Sequence, residues 1–69
     1  MRAEERTALL DAVRKKRRDD TFENSLARQV KNQGLGYEDY IRLIADVREV
    51  ARKKALRLER AAEILASEE

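Results

Sequence analysis

Two stretches of cations are the residues of this chain best placed to do chemistry. Arg14, Lys15, Lys16, Arg17 and Arg18 run consecutively, and Arg48, Arg52, Lys53, Lys54, Arg57 and Arg60 recur along a second stretch. Guanidinium and ammonium groups gathered in this way suit the oxyanions of phosphate. The net charge is only +2, but residues 48–60 hold six basic groups against two acidic ones. At ~100° per residue, five consecutive cations reach every side of a helix, so some must face a neighbouring element. Like charges held together cost stability unless an anion offsets them. Internal carboxylates are one offset, with Asp11–Lys15 and Glu49–Lys53 at the i,i+4 spacing and Asp19, Asp20 and Glu59 close by. Nucleic-acid phosphates are the other. The sequence supports either a solvated, internally paired face or a DNA or RNA contact. That contact would be made by Arg14, Lys15, Lys16, Arg17, Arg18, Arg52, Lys53, Lys54 and Arg57.

Other chemistry finds little material. The chain has no histidine and no cysteine, so the commonest general base, the commonest metal ligand and the disulfide are all excluded. Glu38/Asp39 and Glu68/Glu69 are sequence neighbours and so diverge on a helix, while Glu59 and Glu63 make only two ligands of a cation site. Ser25 and Ser67 are the only serines, and no glycine-rich phosphate loop occurs. A non-enzyme without cofactor or metal is expected. Tyr37 and Tyr40 offer stacking surfaces for bases, but their spacing beside Ile41 and Ile44 favours a place at the edge of the core. A helix-turn-helix is disfavoured, since Glu38 and Asp39 would lead the recognition helix towards phosphate.

The elements that must position these cations are helices. Charged residues make up 43% of the 69, proline is absent, and the only glycines are Gly34 and Gly36. That composition belongs to long helices rather than strands. Gly34 suits the left-handed position that ends a helix, Leu35 can pack back, and Gly36 can cap the next helix, with Glu38 and Asp39 in its first turn. From there a single long helix over about 37–67 is expected. Placing Tyr37 at heptad position a puts Ile44, Ala51, Leu58 and Leu65 on the same column. Tyr40, Val47, Lys54 and Ala61 follow at d, with Ile41 and Leu43 on adjacent columns. Leu56 falls off this broad stripe.

The first half reads as helices over about 3–18 and 21–33, with Asp20 or Thr21 as a cap, or as one continuous helix. Folding at the glycines pairs residues whose numbers sum to about 70, so that Val30 meets Tyr40 and Phe22 lies near Val47. The expected fold is one all-α domain over 1–69, a helical hairpin or three-helix chain. Its core or dimer seam comprises Phe22, Leu26, Val30, Tyr40, Ile41, Ile44, Val47, Leu58 and Leu65. So small a chain, without disulfide or metal, gains most from a second copy, and a homodimeric helical bundle is expected. No apolar stretch approaches the ~20 residues of a membrane span, and Met1-Arg2-Ala3-Glu4-Glu5 has no hydrophobic leader segment. A cytoplasmic adaptor acting on protein partners, or a small nucleic-acid-binding regulator, is the functional expectation.

Overall fold

Thr21 shows how the first half of the chain is divided. Its Oγ accepts the backbone N–H of Asn24 at 3.1 Å, satisfying one of the first-turn donors that a helix leaves unpaired. In the structure, a computed structural model describing residues 1–68, this cap opens the second of four helices: α1 (Ala3–Arg14), α2 (Phe22–Asn32), α3 (Tyr37–Lys54) and α4 (Leu58–Ser67). No strand occurs among the described residues. Neither a helix reaching residue 18 nor a continuous helix over 3–33 forms. Helix α1 stops at Arg14, so the remaining cations of the basic run lie in an open segment instead of being forced around a helix and against its neighbours. The Ala12 carbonyl, orphaned by that ending, accepts the hydroxyl of fully buried Ser25 at 2.7 Å. Asp20 holds the segment down from outside, 2.7 Å from Arg28.

The α2–α3 turn is made as the glycines indicate. Gly34 has φ +74° and its N–H reaches the Lys31 carbonyl at 3.0 Å, while Leu35 N–H reaches the Val30 carbonyl at 3.0 Å. Gly36 caps α3, donating its N–H to Asp39 Oδ2 at 3.1 Å. Antiparallel pairing near the turn follows the sum of about 70: Val30 and Tyr40 line one groove, and Arg48 lies 3.6 Å from Glu23.

The long helix over 37–67 does not form. Ala55 adopts a left-handed conformation at φ 54°, and Leu56 N–H returns to the Ala51 carbonyl at 2.9 Å. This is the same kind of ending as at Gly34, made without glycine. Leu56, off the stripe in sequence, is the apolar residue that folds back behind such a turn and is half-buried there. A left-handed alanine costs about 1 kcal/mol, but the break returns α4 onto α1 and α3, where Ala61 and Ala62 are completely buried and Ala66 nearly so. Tertiary burial outweighs helix continuity.

The core draws on all four helices. Leu9, Leu26, Leu43 and Val47 are fully buried at its centre, with Phe22, Val30 and Ile44 beside them. Tyr40, Leu58 and Leu65 pack partly buried against it, and Ile41 is 44% exposed. The apolar stripe expected to face a second copy is thus largely taken up by the chain's own four-helix core.

Candidate interface at the basic end of the bundle

Three contacts establish where the two cationic stretches lie. Ser25 on Ala12 sets the end of α1 against the start of α2, and Glu23 near Arg48 sets that start against the second half of α3. Arg6 and Leu10 of α1 share a cleft with Ala66 and Ser67 of α4, so α4 runs back along α1 from a beginning near the end of α1. The α1–α2 segment and the α3–α4 turn therefore occupy one end of the bundle. Residues 14–18 and 52–57 come together there.

Their pairing separates two groups. Lys15 is tied to Asp11 at 3.4 Å, and Arg52 and Lys53 share Glu49 at 3.1 and 3.2 Å. Arg52, at 3.1 Å, is the first cause of a Glu49 carboxyl held below its usual range. Arg48 and Arg60 lie 3.6 and 3.7 Å from Glu23 and Glu63. Arg14, Lys16, Arg17, Arg18, Lys54 and Arg57 form no ion pair with a carboxylate among the described residues. All six are exposed except Lys16, which is half-buried with Nζ 3.5 Å from the Arg17 carbonyl. Lys16, Arg17, Arg18 and Arg57 sit in the joints, and Arg14 and Lys54 are the last residues of α1 and α3. Arg57 also occupies the cap position of α4, whose first turn has no side-chain hydrogen bond to it. The helix C-termini of α1 and α3 partly offset this charge with their carbonyl dipoles, as Asp19 and Glu59 do with their carboxylates.

The opposite end is neutralised internally. Buried Glu5 accepts the backbone N–H of Arg2 at 3.0 Å and the guanidinium of Arg42, which also reaches Asp39 at 3.1 Å. Arg2 closes the network on Asp39 at 2.9 Å. Burial pushes the Glu5 carboxyl up, but the hydrogen bonds from Arg42 and Arg2 outweigh it and the net shift is downward. Asp39 is lowered first by the Gly36 N–H and then by Arg42. Nothing in the sequence pairs Glu5 with Arg42, because they meet only when α1 lies beside α3.

Tyr37 and Tyr40 stack near this end, ring centres 6.1 Å apart and planes inclined at 30°. Tyr40 is half-buried as a core-edge residue, and burial raises its hydroxyl pKa. Tyr37 is 75% exposed, against the core-edge position its spacing indicates, because it stands in the first turn of α3 beyond the last turn of α2. With Ala27, Val30, Lys31 and Leu35 the two tyrosines line an apolar groove of about 320 Å³. Ala27 and Ile41 are exposed near it.

No three acidic side chains gather into a metal-binding cluster, and no helix is long and apolar enough to cross a membrane, among the described residues. Comparison of the chain with protein-family models, with curated proteins and with solved structures finds no match.

Proposed function

We propose that this protein is a non-catalytic, cytoplasmic helical adaptor that works by association with macromolecules. Its working surface is the basic end, and the partner best suited to it is the phosphate backbone of a nucleic acid. One observation carries this reading: most cations along the helices have carboxylate partners, while six of the seven without one among the described residues, all but Lys31, are gathered in or next to two joints at a single end. Cations that serve only solubility have no reason to segregate in this way. Phosphate neutralisation by such a cluster releases counterions, and log K falls against log salt by about 0.9 per phosphate on duplex DNA.

The test is an anisotropy titration of labelled duplex DNA and structured RNA across a salt series. A slope equivalent to several phosphates is expected, and it should shrink by about two in an Arg17→Ala/Arg18→Ala variant. Binding absent even at low salt would refute the nucleic-acid reading.

A second reading, a homodimeric adaptor for protein partners, is favoured by the exposure of Tyr37 (75%) and Ile41 (44%), two large apolar side chains on the same helix. The two readings are compatible. A homodimer presents the basic end twice and strengthens its field.

A further inference from the structure

The joint between α3 and α4 differs from the joint between α2 and α3 in one respect that bears on assembly. At the α2–α3 joint, glycine takes the left-handed residue and a second glycine, tied to Asp39, starts the next helix. At the α3–α4 joint the left-handed residue is Ala55, the one non-glycine with positive φ among the described residues. The residues that follow, Leu56 and Arg57, are good helix formers, and no side chain caps α4. No glycine or proline occurs between residues 37 and 67, and one heptad frame runs through the break from Val47 and Ala51 to Leu58, Ala61 and Leu65. Locally the segment favours a continuous helix, and the docking of α4 on its own α1 and α3, helped by the fold-back of Leu56, holds it broken. A short, strained hinge between a docked element and the rest of a fold is the usual setting for exchange of that element between copies.

We infer that the chain forms a homodimer by exchange of α4: residues 55–57 become helical, α3 and α4 fuse, and each α4 docks on α1 and α3 of a second copy. The fused helix carries Ala61, Ala62 and Ala66 away from their own core, and the second copy supplies the same contacts. Exchange therefore conserves the burial of the α4 alanines, relieves the left-handed alanine and replaces the turn's backbone hydrogen bonds with helical ones, at the cost of the half-burial of Leu56. This rests on the homodimer reading above and specifies how that dimer is built.

The experiment uses full-length chains refolded from urea at high protein concentration and sized by light scattering. Leu10 and Ser67 line one cleft between α1 and α4. One chain therefore carries Leu10→Cys and a differently tagged chain carries Ser67→Cys, and the two are refolded together and oxidised. The expected result is a dimer fraction containing disulfide-linked mixed pairs. Ala55→Gly should weaken that dimer by about a hundredfold or more, because glycine favours the broken form and disfavours the fused helix in both copies. A dimer that gives no mixed disulfide, or one indifferent to Ala55→Gly, overturns the exchange while leaving the homodimer intact. A monomer at every concentration overturns both.

Discussion

Ser25 is the residue on which the α1–α2 packing turns. It is small enough to let the two helices approach, and its hydroxyl satisfies a carbonyl that the end of α1 would leave bare. Ser25→Ala should cost about 1–2 kcal/mol, since it strands a buried acceptor; urea denaturation should show a lower midpoint at unchanged slope. Residue-scale electrostatics set the acid limit. Glu5, Asp20, Asp39 and Glu49 all have carboxyls held below their ordinary values. For Glu5 the hydrogen bonds overcome burial, for Asp20 and Glu49 the leading cause is a neighbouring arginine, and for Asp39 it is the Gly36 N–H. Groups more acidic in the folded than in the unfolded chain stabilise it fully above the unfolded pKa, about 4, and lose that contribution as pH falls through the lowered values. Thermal melts should therefore be insensitive to pH between about 5 and 8 and fall steeply below about 4. Glu5→Gln should flatten part of that fall.

At the scale of the element, the two Leu-containing turns give the clearest contrast. Ala55→Gly relieves a left-handed alanine and should stabilise the monomer by about 1 kcal/mol, raising its melting midpoint by about 4–8 °C in a domain of this size. An unchanged or lower midpoint would mean that Ala55 is not held left-handed in solution. Leu56→Ala should act in the opposite direction by removing the apolar contact behind the turn. On α3, Ile44 is 3% exposed. Ile44→Asp should abolish cooperative unfolding by placing a charge in the core, and a circular dichroism melt like that of the parent would contradict the packing of that face.

The whole molecule has unlike ends. One is an ion-paired network of Arg2, Glu5, Asp39 and Arg42 beside the stacked tyrosines, and the other is the cluster of cations without a carboxylate partner among the described residues. Neutralising Arg17 and Arg18 at the basic end should leave the unfolding free energy within about 0.5 kcal/mol of the parent, because both residues are exposed and outside the helices. The same substitution applied to Arg42 should be costly, since buried Glu5 would lose its main cation and keep only Arg2, 3.6 Å away. Equal stability losses in the two variants would contradict this division of the surface.

Sequence alone determined helicity, the turn at Gly34–Gly36 and the antiparallel placing of Val30 against Tyr40, and it offered a cap at Asp20 or Thr21 while leaving a continuous first helix open. Each rests on local chemistry: backbone freedom of glycine, side-chain caps and apolar spacing. It also marked part of the core, with Phe22, Leu26, Val30, Ile44 and Val47 now found buried, but not Leu43 or the buried alanines. The breaks after Arg14 and at Ala55 were decided by tertiary structure. Nothing local forbids a helix through either point, and the deciding terms are a carbonyl met by Ser25 and the burial of Ala61, Ala62 and Ala66 on other helices. The gathering of the two cationic stretches at one end is tertiary for the same reason. Their charge is written in the chain, but their neighbourhood exists only once α4 has turned back along α1 and α3.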